Sequence, residues 1–187
     1  MKTRFPRAAA LAVAKELCDA LKPVTDRLIV AGSLRRRKDE VGDVEILFVP
    51  KLETVRDGLF DVKQVSRVDA VLDRLLAAGV LAKRLNANGS VMWGDKNKLA
   101  VHVASRVPVD LFAATEANWF NYLVCRTGPG ESNIAIASAA KAMGWQWHPY
   151  GTGFSRPVGL GTEERAVASE REVFEFVGLP FKEPWER

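Results

Sequence analysis

The chain has 187 residues, 48% of them hydrophobic and 27% charged, which suffices for one domain or two small ones with a real core and excludes global disorder. A formal charge of +4 permits nucleic acid or a nucleotide as partner but falls well short of a histone-like excess. Cys18 and Cys125, with His102 and His148, are too few and too scattered for a disulfide framework or a zinc site, and no stretch approaches the ~20 apolar residues of a membrane span.

The leading segment Met1-Lys2-Thr3-Arg4, followed by the alanine-rich run Ala8 to Ala14, has the superficial look of a signal peptide. Pro6 and Arg7 separate its basic and apolar parts, and Lys15, Glu16 and Asp19 interrupt any longer apolar stretch. Leu11, Leu17, Cys18 and Leu21 instead fit an amphipathic helix from about Pro6 to Lys22, with proline in its first turn. A soluble, cytoplasmic protein is expected, with both cysteines reduced.

A short strand over Arg27–Ala31 leads into Gly32-Ser33 and the basic segment Arg35-Arg36-Arg37-Lys38. A second strand covers Asp43 to Val49 and stops at Pro50; Lys51 to Gln64 reads as a surface connection. Ser66 caps a predicted helix through Val68, Val71, Leu72, Leu75 and Leu76, closed by Gly79. Strand-like runs follow at Val80–Leu85, Ser90–Trp93 and Leu99–Ala104, with Asp95 to Lys98 as a hairpin turn, and Pro108–Ala113 is another strand. Beyond Thr115 the pattern turns helical: one helix through Trp119 to Val124, broken at Thr127-Gly128-Pro129-Gly130, and a second over about Glu131 to Met143. The glycine-rich stretch Gly151 to Gly161, with Gly159-Leu160-Gly161 read as loop, precedes a last helix announced by Ser169-x-x-Glu172. The outline is a domain of mixed helix and strand over residues 1–115 and a smaller, mainly helical domain over 116–187.

Asp43 and Glu45 are the most informative residues. They stand two apart at the head of an apolar strand, so both side chains leave the same sheet face, and Asp110 repeats the pattern in Val109-Asp110-Leu111-Phe112. Carboxylates crowded on a sheet resist desolvation unless a positive partner neutralises them. Hard divalent cations do so with oxygen ligands, and three carboxylates can hold two ions ~3.5–4 Å apart for phosphoryl transfer. The competing explanation is that these acids are solvated at strand ends or paired with Arg35, Arg36 or Lys38. The same fourteen-residue window, Gly32 to Glu45, also holds a Gly-Ser turn and arginines suited to an anion, so a triphosphate site and its metals would adjoin in sequence.

The run Gly32-Ser33-Leu34-Arg35-Arg36, then Gly42-Asp43-Val44-Glu45, resembles the signature of family X DNA polymerases, the polymerase beta group, with Asp110 in the place of the third acid. Thr127-Gly128 and Asn133 resemble that family's Thr-Gly turn and following asparagine; Gly178-Leu179-Pro180-Phe181 with Pro184 is similar to its C-terminal closure, and Arg4-Phe5-Pro6-Arg7 loosely matches its lead into the first catalytic helix. The resemblance implies an α+β fold, a nucleotidyltransferase palm of mixed sheet and flanking helices plus a small, mainly helical thumb. It implies that Asp43, Glu45 and Asp110 are catalytic and bind two Mg²⁺ or Mn²⁺ ions. Gly32, Ser33, Arg36 and Gly42 would hold the β- and γ-phosphates, with Arg4 assisting, Thr127 and Gly128 would belong to the nucleotide-binding turn, and Asn133 would touch the base or the minor groove. The implied reaction is attack of a primer 3′-hydroxyl on the α-phosphate of a (d)NTP with release of pyrophosphate.

The departures carry implications too. Glu45 replaces the usual aspartate, which bears on ion spacing and metal preference. Cys125-Arg126 stands where the family often has Tyr-Phe, implying a weaker barrier to ribonucleotides, and Pro108 and Ala137 replace arginines near the primer end and the template. With the catalytic pattern starting almost at residue 1, a palm and thumb alone are expected, without lyase domain or fingers: a distributive monomer acting on DNA primer–template, helped by an accessory DNA-binding protein, and of a kind that suits a phage or mobile element in a host cytosol. Arg84, Lys96, Lys98 and Arg106 are candidate nucleic-acid contacts, weighed evenly against a solvated hairpin. The five tryptophans read mostly as packing residues. Two alternatives stay open: an untemplated transferase acting on a nucleic-acid end, a protein or a small molecule, and a non-catalytic nucleic-acid-binding relative.

Overall fold

The computed structural model describes residues 3–58 and 61–187, so Met1-Lys2 of the leading segment and Leu59-Phe60 of the expected connection lie outside the described residues. In chain order the elements are β1 (Phe5–Pro6), α1 (Arg7–Leu21), β2 (Thr25–Val30), α2 (Gly32–Arg35), β3 (Glu40–Val41), β4 (Val44–Pro50), β5 (Leu52–Asp57), β6 (Asp61–Ser66), α3 (Arg67–Ala77), β7 (Leu81–Lys83), β8 (Asn97–His102), β9 (Pro108–Ala113), α4 (Trp119–Thr127), α5 (Gly130–Ala142), β10 (Gln146–Trp147), β11 (Gly153–Val158), β12 (Gly161–Ala166) and α6 (Glu170–Phe176). The fold is α+β. The chain divides into two compact units: the chain up to Val30 with Asp39–Ala114, and Ala31–Lys38 with Thr115–Arg187. The short segment Ala31–Lys38, which the sequence reading kept with the first 115 residues, thus counts with the second unit. Among the described residues no helix is long and apolar enough to cross a membrane.

The first unit is built on a mixed five-stranded sheet in the order β2-β4-β9-β8-β7, antiparallel except for the parallel pair β4–β9. β4 lies inside that sheet and buries Val44, Ile46, Leu47, Phe48 and Val49, as the continuous apolar run of an internal strand requires. Helix α1 packs on β2 and β4 through Ala10, Val13, Ala14, Leu17 and Leu21, a stripe at helical spacing. Helix α3 buries Val68, Val71 and Leu72, and its first turn is closed by Ser66, whose Oγ accepts from the Val68 N–H at 3.2 Å.

Three sequence expectations fail here. The connection Lys51–Gln64 is instead an antiparallel ribbon, β5 on β6, with register from Leu52↔Ser66 to Asp57↔Asp61. Most of its residues are exposed, so it has no buried face and leaves no period-2 alternation to read. Ser90–Trp93 forms no strand of its own; it makes only the isolated bridges Leu85↔Val91 and Trp93↔Lys98, in a segment broken by Gly89 and Gly94. The turn expected at Asp95–Lys98 is closed earlier, by Gly94 N–H to Asn97 O at 3.0 Å, and Asn97 and Lys98 already belong to β8.

The second unit joins helices α4, α5 and α6 to a three-stranded antiparallel sheet, β10-β11-β12. Val124, Ile136, Ala140, Trp145, Trp147, Phe154, Val167, Val173, Phe174 and Val177 make its core. Buried Asn121 ties α4 to the strands: its Nδ2 donates to Gly151 O at 2.9 Å and to His148 O, and its Oδ1 accepts from Trp147 Nε1 at 2.7 Å. Gly159-Leu160-Gly161, read as loop, is the tip of the β11–β12 hairpin. Within that hairpin only glycine fits at position 153, where a Cβ would lie 2.1 Å from the Arg165 carbonyl oxygen. Trp119, Trp145 and Trp147 are buried packing residues.

Candidate active site

The three acids come from adjacent positions in the first unit's sheet. Parallel pairing of β4 with β9 makes Glu45 and Asp110 direct register partners, flanked by Val44↔Val109 and Ile46↔Leu111. Neighbouring strands run ~4.8 Å apart, so the two carboxylates leave one face side by side. Asp43 is the residue before β4, two positions from Glu45 and on the same side. All three are half-buried. The apolar residues between them, Val44, Val109 and Leu111, are buried in the core, which fixes which face the acids use.

Asp110 has a cationic partner: Arg84 Nη2 donates to its Oδ1. The arginine is itself anchored on β8, its backbone N–H donating to Leu99 O at 2.9 Å and its Nε to Ala100 O at 3.3 Å. Among the described residues no three histidine, cysteine, aspartate or glutamate side chains are gathered as a metal-holding group. The donor chemistry nonetheless suits a hard divalent cation: three carboxylates, all oxygen donors, two of them in register.

Other expected contacts of this unit are placed as follows. Arg4 is exposed just ahead of β1, which pairs with β3 through Phe5↔Val41, and Gly42 is buried between β3 and β4. Lys96 is exposed, while its carbonyl accepts from Ala113 N–H at 2.9 Å. Lys98 is buried: its Nζ donates to Gly94 O at 2.8 Å and pairs with Asp69 at 2.9 Å, so its charge serves the fold. Arg106 occupies the β8–β9 turn with φ 60°, exposed, its N–H donating to His102 O at 2.8 Å.

The other phosphate-binding candidates, Gly32, Ser33 and Arg36, belong to the second unit. Gly32, with φ 62°, opens α2, and Ser33 O accepts from Lys38 N–H at 3.1 Å, curling the segment back on itself. Arg35 Nη1 donates to Thr127 Oγ1 at 2.6 Å, and its two terminal nitrogens grip the Glu170 carboxylate. Arg187, its side chain almost wholly buried, adds a second cation to Glu170 at 3.3 Å; burial lowers the Arg187 pKa, and Glu170 opposes that shift. Arg36 Nη1 donates to the Thr127 carbonyl. Next to it, Gly128 has φ 61°, and a Cβ there would come 3.2 Å from Arg36 Nη1. The Gly128–Pro129 peptide is cis. Asn133 Nδ2 donates to Cys125 O at 2.9 Å, while its Oδ1 is buried without a hydrogen-bond partner. Arg126 stacks against Tyr122 and Tyr150, 5.5 and 5.1 Å from the ring centroids.

Residues 122–187 match the family model described as DNA polymerase beta thumb. Among solved structures, Leishmania infantum polymerase beta, in a ternary P/T complex, aligns with a TM-score of 0.75 over 99% of this chain and 77% of that chain, at 17% identity. The fold is polymerase beta-like. A comparison with curated proteins finds no match.

In this polymerase beta-like fold the sequence reading missed Glu170 and the link from Arg84 to Asp110. Glu170 stands 135 residues from Arg35, and Arg84 stands 26 from Asp110. No local pattern announces such pairs.

Proposed function

We propose that the chain is a minimal polymerase beta-like nucleotidyltransferase that adds a nucleotide from a (d)NTP to a primer 3′-hydroxyl and releases pyrophosphate. The observation that carries this reading is the pairing of Glu45 with Asp110 across β4 and β9, with Asp43 two residues ahead. The thumb match over residues 122–187 supports DNA as substrate, since the structural neighbour is a polymerase beta primer–template complex.

Divalent cations, Mg²⁺ or Mn²⁺, supply charge neutralisation and Lewis acidity to phosphoryl transfer when bound. Asp43, Glu45 and Asp110 would hold them. β4 and β9 hold the backbones of Glu45 and Asp110, with Asp43 just ahead of β4, so the three carboxylates start from one face of the sheet. Gly32, Ser33, Gly42 and Arg36, with Arg4, would bind the β- and γ-phosphates, and Arg35 positions the turn by its grip on Thr127 and Glu170. Thr127 and Gly128 shape the nucleotide-binding turn, and Asn133 contacts the base or the minor groove. Lys96 and Arg106, both exposed, supply phosphate contacts to nucleic acid. With Cys125-Arg126 in the last turn of α4, just ahead of Thr127-Gly128, ribonucleotides are accepted beside deoxynucleotides.

The test is extension of a labelled primer, alone and annealed to templates with four different next bases, with single dNTPs or rNTPs and Mg²⁺ or Mn²⁺. Template-matched addition supports the polymerase. Addition without template makes the chain a tailing enzyme, and no addition to any primer removes the reading.

A further inference from the structure

Arg84 bonds Asp110 from the far side of β8. Strand β8 lies between β7 and β9, and Leu99 of β8 is the register partner of Asp110. Arg84 follows β7 directly, is fastened to β8 by its backbone N–H on Leu99 O and its Nε on Ala100 O, and projects its terminal nitrogen onto the Asp110 carboxylate. The two side chains are 32% and 17% exposed, so bulk water screens this pair only in part. Two of the three anchors of Arg84 do not involve Asp110, which leaves the stem held when the terminal bond is broken.

We propose that Arg84 is a built-in counter-ion for Asp110 that competes with the divalent cation for this carboxylate, and so sets the metal affinity of the site. The inference rests on the reading of Asp43, Glu45 and Asp110 as metal ligands. A carboxylate held by a guanidinium must give up that bond before it can ligate a metal. The free energy of the ion pair is therefore subtracted from metal binding, and by linkage metal binding weakens the hold of Arg84 on Asp110. Arg84 is a positioning residue in this scheme. It holds Asp110 while no cation is bound, and the same guanidinium is then released beside the anionic substrate.

The competition predicts a gain of affinity, a sign that a merely structural arginine would not produce. The full-length chain, without nucleotide or DNA, is titrated with Mn²⁺ and free Mn²⁺ is read by electron paramagnetic resonance. Arg84→Gln binds Mn²⁺ about fivefold to tenfold more tightly than the parent, whereas Arg84→Lys, which keeps the charge, stays near it. In an Asp110→Asn background Arg84→Gln changes nothing, because the carboxylate in dispute is gone. Arg84→Met keeps the aliphatic stem and carries the same expectation should the glutamine variant not fold. Unchanged or weaker Mn²⁺ binding in the charge-free variants, with normal binding by the parent, overturns the competition alone. A parent chain that binds no Mn²⁺ overturns the metal-site reading on which it rests.

Discussion

Glu45 on β4 and Asp110 on β9 face each other in register across the parallel strand pair of the five-stranded sheet. Two carboxylates in adjacent strand positions act on one bound species or not at all, and groups that act as a unit are not additive. Glu45→Gln and Asp110→Asn are each expected to slow single-nucleotide incorporation about a thousandfold, the loss of several kcal/mol of charge stabilisation. The double variant falls no more than about tenfold further. Rapid-quench rates on the four proteins measure this, and a product of two full thousandfold losses would separate the pair.

Glu170 receives Arg35 and Arg187 in a nearly dry environment, and Arg35 also reaches Thr127. Removing Arg35 leaves Glu170 to Arg187 and takes the donor from Thr127 Oγ1. Arg35→Ala is expected to cost about 2 kcal/mol of stability through its lost charge-assisted hydrogen bonds, read as a lower urea midpoint with unchanged slope. Arg35→Lys recovers only part of it, because an ammonium cannot grip the carboxylate with two nitrogens while bonding a hydroxyl.

Gly128 combines a left-handed backbone with close approach of Arg36 Nη1. Gly128→Ala is strained on the first count and displaces the guanidinium on the second. We expect about 1–2 kcal/mol of destabilisation, together with a raised KM for the nucleotide because Arg36 is moved. A thermal melt beside steady-state incorporation kinetics separates the two effects.

Ser66 is the sole side-chain cap at the start of α3, accepting from Val68 N–H. Ser66→Ala is expected to lower stability by about 1 kcal/mol without changing incorporation rates, since α3 carries none of the proposed ligands. Chemical denaturation reads the first and primer extension the second.

Much of this was legible in the sequence because local chemistry wrote it there. The helix α1, the cap at Ser66, the capping serine Ser169, whose Oγ accepts from Glu172 N–H, and the apolar run of β4 each follow from neighbours within a few residues, although the buried stripe of α1 runs through Ala10, Val13 and Ala14 with Leu17 and Leu21 and leaves Leu11 exposed. The three acids were visible as charges inside apolar strands; that Glu45 and Asp110 share a register came only with the pairing of β4 and β9, 65 positions apart. The ribbon β5–β6 was unreadable because neither face is buried. Lys98 misled for the opposite reason: in sequence it is one cation of a basic hairpin, yet the fold buries it against Asp69. Arg84, read as either a phosphate contact or a solvated hairpin cation, bonds Asp110.

The most direct test of the account is template-directed incorporation of one dNMP with Mg²⁺ by the parent chain and by Asp43→Asn, a variant that removes charge from the site while keeping nearly the same volume. The account predicts matched incorporation by the parent and a loss of about a thousandfold in the variant, with its melting temperature retained. Equal incorporation by the two proteins would contradict it.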